Sequence, residues 1–332
     1  MTRKVVLMND TSTRYHHGCA RVMRLLRQGL EERGARILAA SPARHDWAND
    51  PVFLGALKDC DVVVINGEGT LHHGADAGAR LLSVAEHEAA RGKKLCLVNA
   101  LYDENPTEWE SWLQSFSVLS ARDSESARQL SEASGRNVDW LPDLSLSHPA
   151  EVTNVTRKGT VLGDSVRMER RQALARSANR FKPSTFVPTK TLRQPIWRVP
   201  VLGGVLRSAL YNIYNGHLTL TPPRFEMPLT EQAYLARIAA SDLHITGRFH
   251  AVCLSLLTRT PFLALTSTSG KIEKLLTDLG LGTNRIVSDE DLLTINPDPR
   301  THQFSEQELQ IISQSLSHAQ TKASELFDKV LA

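Results

Sequence analysis

A chain of 332 residues with a net charge of +3 is long for one ordinary core and suits two domains of roughly 150 residues each. The small charge, with no sustained Lys/Arg clustering among aromatics, argues against nucleic acid as a partner. Cys19, Cys60, Cys96 and Cys253 are far apart and show no CxxC spacing, so they read as reduced thiols of a cytoplasmic protein, not as zinc ligands or disulfides. The N-terminal apolar stretch is too short for a signal peptide, and no run of about 20 apolar residues could span a bilayer.

Val5 to Met8 reads as a buried strand, followed by an amphipathic helix from Ala20 to Arg33 with Val22, Leu25, Leu26 and Leu30 on one face and Gly34 as its stop. Arg36 to Ala40 is the next strand, then Asp61 to Asn66, a helix from Leu81 to Arg91, and Leu95 to Asn99. The near-continuous apolar runs predict a parallel sheet covered on both faces. Shorter strands at Val118 to Arg122 and Asp139 to Pro142 flank a helix from Ser124 to Ala133. Ser147 to Ala150 and the polar run after it form the best linker, which divides the chain into residues 1–150 and 151–304. Beyond it come the strand Thr160 to Asp164, a helix from Thr230 to Ala240, strands after Ser241 and at Pro261 to Leu265, and a helix from Ile272 to Leu279. Residues 305–332 hold a long amphipathic helix, Glu306 to Val330, with Leu309, Ile312, Leu316 and Leu326 available for packing. The fold class is α/β in both halves.

Residues 166–224 form a basic insertion whose single acid is Glu169, and it interrupts the α/β alternation. Within it, residues 193–214 combine apolar residues, Trp197, Tyr211 and arginines, as an element lying at a membrane surface would, although Pro200 and Gly203-Gly204 break any long helix. An insertion packed on its own domain is the plainer alternative.

Chemistry concentrates at strand-to-helix junctions. In Leu243-His244-Ile245-Thr246-Gly247-Arg248-Phe249-His250 a strand meets a turn and a helix start. Helix N-terminal N–H groups attract phosphate or carboxylate, Arg248 can add a bidentate fork, and His250 can move a proton near neutral pH. Asn66-Gly67-Glu68-Gly69 follows a strand directly but lacks the GxGxxG spacing, and Thr268-Ser269-Gly270-Lys271 lacks the P-loop pattern. Arg122 could pair with Asp143 or bind a ligand anion, and Asp123 or Ser124 can cap the following helix. His16-His17 and His72-His73 have no HxxxH or HExxH spacing, so no metal site is expected; sugar binding through imidazole and plain surface loops remain.

In order, Asn9 with its polar loop, Asn66-Gly67-Glu68-Gly69, Ala121-Arg122-Asp123-Ser124, Gly247-Arg248-Phe249-His250, Pro261-Phe262-Leu263 and Lys271-Ile272 resemble the polysaccharide pyruvyl transferase family. The resemblance implies two Rossmann-like domains facing across a GT-B-like cleft and transfer of pyruvate from phosphoenolpyruvate to a glycan as a ketal. It implies His250 and Arg248 as catalytic residues, with Arg122, Gly247, Arg248, Ser269 and Lys271 on the donor. Asn9, Asp10, His16, His17, Asn66, Glu68 and His72 would hold the acceptor. No cofactor or metal is required, phosphoenolpyruvate being a co-substrate, and the glycan could be lipid-linked at the inner face of a membrane. The early loop Asn9-Asp10-Thr11-Ser12 departs from the compact Asn-x-Gly-Asp turn of many members. The alternatives are a GT-B glycosyltransferase using a nucleotide sugar, and a glycan-binding protein without turnover.

Overall fold

The structure, a computed structural model, describes residues 2–152, 155–191, 204–206, 209, 213, 224–266 and 270–332. The chain forms two compact units: Met1–Arg14, Val22–His148 and Ser317–Ala332 make unit 1, and Tyr15–Arg21 with Pro149–Leu316 makes unit 2.

Unit 1 alternates strands and helices: β1 (Lys4–Asp10), α1 (His17–Glu31, from Val22 onward in this unit), β2 (Arg36–Pro42), α2 (Pro51–Asp59), β3 (Val62–Asn66), β4 (Leu71–His72), α3 (Asp76–Leu82), β5 (Lys94–Ala100), β6 (Tyr102–Asp103), α4 (Glu110–Gln114), β7 (Val118–Ala121), α5 (Ser124–Ser134) and β8 (Asp139–Trp140). The main sheet is parallel, in the order β2-β1-β3-β5-β7-β8, and β4 pairs with β6 apart from it. Successive side chains of a strand face opposite layers. Val6, Met8, Val63, Ile65 and Leu97 accordingly enter one core with Phe53, Leu57 and Leu113, while Val5, Leu7, Val62, Val64 and Val98 enter another with Val22, Leu26 and Leu30 of α1. Ala323, Leu326, Phe327 and Val330 complete that second core from the end of the chain.

The helices of unit 1 differ from expectation at three places, one of them α4, for which no helix was expected. Instead of one helix over Leu81 to Arg91, α3 ends at Leu82 and 3-10 turns follow at Ser83–Glu86 and Glu88–Ala90. His87 is extended there and its Nδ1 accepts from the Ala89 N–H, a local bond that competes with the helix ladder. Helix α2 was not expected, although its start carries a plain signal: Asp50 accepts from the Val52 and Phe53 amides, with Pro51 in the first turn.

Unit 2 contains β9 (Thr160–Ser165), α6 (Met168–Ser177), β10 (Ser184–Phe186), β11 (Arg224–Phe225), α7 (Glu231–Ala239), β12 (Leu243–Gly247), α8 (Phe249–Leu257), β13 (Phe262–Leu265), α9 (Lys271–Asp278), β14 (Ile286–Val287) and α10 (Asp291–Thr294). Its strands are parallel in the order β11-β10-β9-β12-β13-β14, the dinucleotide-fold sequence 3-2-1-4-5-6. The final helix α11 (Glu306–Leu331) begins in unit 2 and from Ser317 belongs to unit 1.

The expected interruption over 166–224 is corrected in its first part, where α6 and β10 continue the alternation. Leu174, Ala178, Phe181 and Phe186 are buried in the unit 2 core despite the surrounding arginines. Two of those arginines are spent on carbonyls, Arg180 donating to Leu292 and Ile295 and Arg171 to Ser165, and Arg170 lies 3.9 Å from Asp289. Apart from 204–206, 209 and 213, the stretch 193–214 expected at a membrane surface lies outside the described residues. Among the described residues no helix is long and apolar enough to cross a membrane.

Candidate functional site

In open α/β sheets ligands bind outside the carboxyl ends of strands, where the strand order reverses. In unit 2 that point lies between β9 and β12, which pair in parallel with Gly247 opposite Ser165. A Cβ at Gly247 would stand 2.7 Å from Ser165 Cβ, so only glycine admits this approach. The next residue, Arg248, is the N-cap of α8, and arginine offers no acceptor to the N–H groups of the first turn. Its Nη2 and Nε donate to Asp164 Oδ2 at 2.6 and 3.1 Å, and the Thr189 amide donates to Asp164 Oδ1 at 3.0 Å. Burial pushes the Asp164 carboxyl up, but the Arg248 charge and these donors outweigh it and hold the group below its ordinary range.

His250 lies in the first turn of α8, buried, with its ring 5.3 Å from that of His16 at an interplanar angle of 65°. The segment Tyr15–Arg21 that brings His16 there belongs to unit 2. The His17 amide donates to Thr189 O at 3.1 Å and the Thr191 amide to Tyr15 O at 2.9 Å, and Arg21 forms a buried 2.9 Å ion pair with Glu231. A Cβ on Gly18 would fall 2.2 Å from His250 Cβ, so the absent side chain is what lets His250 lie against this segment. His17 stacks on Tyr234 with centroids 4.8 Å apart. Burial, followed by the charges of His250, Arg248 and Lys190, pulls His16 well below the ordinary histidine range. Burial likewise lowers His17 to about 4 and His244 to about 3.

In unit 1 the order reverses between β1 and β3, and a second polar cluster sits there. Asn9 Nδ2 donates to Asn66 O at 2.6 Å and to Thr70 Oγ1 at 3.0 Å; Asn66 Nδ2 donates to Thr11 Oγ1 at 3.2 Å, which in turn donates to Glu68 Oε2 at 2.6 Å. Asp10 pairs with Arg27 at 2.8 Å. Asn9 holds a left-handed backbone, φ 62°, and its buried Oδ1 has no hydrogen-bond partner among the described residues, an orphan acceptor that suits a hydroxyl donor. Arg122 Nη1 reaches Asp143 Oδ2 over 3.4 Å in the interior, and Asp123 caps α5 through the Ser126 amide. His72, half-buried on β4, has its ring 5.4 Å from that of His73.

The candidate residues thus fall into two sets. Asn9, Asp10, Asn66 and Glu68 meet in unit 1, which also holds His72 and Arg122; Gly247, Arg248, His250 and Lys271 are in unit 2, and so are His16 and His17, which were expected among the acceptor residues of the first half. Lys271 opens α9, and Ser269 lies outside the described residues. Asp164, Thr189, Tyr234, Thr11, Thr70 and Gly18 were not expected at the site. Asp164 carried a signal as an acid closing a predicted strand, and Thr11 lay in the early polar loop already singled out.

No curated protein matches the chain. Among solved structures it is similar to UDP-GlcNAc 2-epimerase from Neisseria meningitidis bound to UDP-GlcNAc, with 12% identity, TM-score 0.58, and 100% of this chain and 99% of that one covered. It is also similar to an S. aureus MnaA–UDP structure, with 14% identity, TM-score 0.58 and coverage of 98% and 94%. A putative UDP-N-acetylglucosamine 2-epimerase from Listeria monocytogenes gives 14%, 0.54, 98% and 94%. At such identities the likeness is one of fold: α/β, Rossmann-like, in the GT-B-like class. The pattern of the polysaccharide pyruvyl transferase family matches residues 5–269, a span holding both strand-order reversals and the residues gathered at them, and the chain belongs to that family.

Proposed function

We propose that this enzyme transfers the pyruvyl group of phosphoenolpyruvate onto two hydroxyls of one sugar of a polysaccharide, forming a ketal and releasing phosphate. The observation that carries this reading is the start of α8, where an N-cap without an acceptor, an arginine steered by Asp164 and a buried histidine converge at the strand-order reversal of unit 2. Phosphoenolpyruvate presents a phosphate and a carboxylate, which suit Arg248, the N–H groups around Gly247 and α8, and Lys271 at the next helix start. Arg122, steered by Asp143, is an anion-binding group of unit 1 in the same scheme.

The imidazolium of His250 protonates the methylene carbon while one sugar hydroxyl attacks the adjacent enol carbon. Phosphate leaves that carbon with the proton of the first hydroxyl, and the second hydroxyl adds in its place and returns its proton to His250, restoring the imidazolium. Asn9, Asp10, Asn66, Glu68 and His72 are assigned to sugar hydroxyls, which the orphan Asn9 Oδ1 supports. A lipid-linked acceptor and contact of residues 193–214 with a membrane surface belong to the same proposal, on the strength of Trp197, Tyr211 and the neighbouring arginines.

The test is incubation of the purified chain with phosphoenolpyruvate and a panel of oligosaccharides, reading phosphate release and acceptor mass. A gain of one pyruvic acid less one water, reduced roughly a hundredfold or more in His250→Ala, is expected. Transfer from a nucleotide sugar instead, or an undiminished rate in the variant, overturns the reading.

A further inference from the structure

His16, Cys19 and His250 each offer a ligand atom, and the three atoms lie within 4.8 Å of one another. Their side chains come from two separate segments of unit 2, and the residues are 8, 5 and 7% exposed. We propose that these three residues bind a borderline divalent cation, Zn2+ above all, and that the bound ion silences the enzyme by occupying His250. The inhibitory half rests on the reading of His250 as the acid; the binding half does not.

The donor set argues for the ion. Two imidazole nitrogens and one thiolate sulfur suit zinc and its neighbours and disfavour magnesium or calcium, whose partners are oxygens. Bonds of about 2.3 Å to sulfur and about 2.0–2.1 Å to nitrogen place tetrahedral ligands roughly 3.3–3.7 Å apart. The present cluster therefore closes on an ion by a shift of about 1 Å at the side-chain ends, within reach of rotation about their χ angles. The Gly18 gap holds the His250 ring against the turn that carries the other two donors.

Three protein ligands leave a fourth position for water, as in open zinc sites. Binding displaces the Cys19 thiol proton and the His250 imidazolium proton to solvent, and a nitrogen that donates its lone pair to the ion has no proton to give to carbon. Release of the ion restores both.

The experiment titrates the metal-free full-length chain with Co2+, which reports its own ligands. Visible d–d bands of tetrahedral cobalt together with a near-ultraviolet thiolate-to-cobalt charge-transfer band are expected at one equivalent. Cys19→Ser should remove the charge-transfer band, and Cys253→Ala, which alters a buried thiol outside the cluster, should keep it. Absence of the bands in the wild type, or their persistence in Cys19→Ser with an unchanged melting temperature, overturns the site. In a second arm, Zn2+ should inhibit phosphoenolpyruvate turnover, and Cys19→Ser should need at least tenfold more Zn2+ for the same fractional loss of its own rate. Equal sensitivity overturns the switch; a wild type with cobalt bands and no pyruvyl transfer overturns the assigned reaction and leaves the site standing.

Discussion

Arg248 Nη2 donates to Asp164 Oδ2 over 2.6 Å, joining the ends of two adjacent parallel strands through a buried ion pair. The pair fixes where the guanidinium points before any ligand arrives, and it sets the entry angle of the helix that carries His250. Asp164→Asn keeps the shape and removes the charge, leaving Arg248 buried without its anion. Breaking such a pair costs about 3–5 kcal/mol. A lower urea midpoint and a rise in KM for phosphoenolpyruvate are both expected; an unchanged midpoint would contradict the energetic role.

Stability should fall on mild acidification. His17 and His244, lowered to about 4 and about 3 from 6.5, prefer to stay neutral when folded, and His16 is displaced the same way. The unfolded chain takes up their protons from pH 6.5 downward, so the stabilisation is complete above 6.5 and is lost as pH falls toward the folded-state values. Each histidine contributes up to about 1.4 kcal/mol per pH unit in that window. Melting temperatures between about pH 7.5 and 5 should show the slope, and His244→Gln should flatten it.

Two glycines of α1 separate structure from activity. A Cβ on Gly18 meets the His250 side chain at 2.2 Å, whereas a Cβ on Gly29 meets the Phe327 ring at 2.2 Å in the core of unit 1. Overpacking costs about 1–3 kcal/mol in either place. Only Gly18→Ala displaces the His250 ring, so turnover measured where both variants are folded should drop tenfold or more in Gly18→Ala and stay near wild type in Gly29→Ala.

Phe327 is 6% exposed within the second core of unit 1, under the Arg33 guanidinium 5.5 Å from its centroid. Phe327→Ala should cost about 3–5 kcal/mol. Trp47 and Trp109, both buried in the same unit, supply the fluorescence readout, and a midpoint equal to wild type would show that α11 adds little.

What the sequence made legible was local. β1, β3 and β5 announce themselves by unbroken apolar runs, and Gly247-Arg248-Phe249-His250 by a strand, a turn and a helix start within a few residues. The pairing of Arg122 with Asp143 was within reach, but the longer-range partners were not: Asp164 lies 84 residues before Arg248, and nothing in His16-His17-Gly18-Cys19 indicates that His250 will pack there. The apolar stripe of α11 was equally readable, but periodicity specifies a buried face without specifying the core that receives it. His87 shows the opposite limit, where a side-chain hydrogen bond caps a separate 3-10 turn inside a stretch that the pattern gave to one helix.

The second core of unit 1 waits for residues 317–332. While the ribosome adds the 149–316 stretch, the face of the first sheet that α11 will help cover, with Val62, Val64 and Val98 on it, stands without its last layer. A nascent chain in that condition is a natural client for chaperones that shield apolar surface. A fragment ending at His148 would carry the same uncovered patch for its whole life, so the first half of this protein should be produced with the closing helix supplied alongside it.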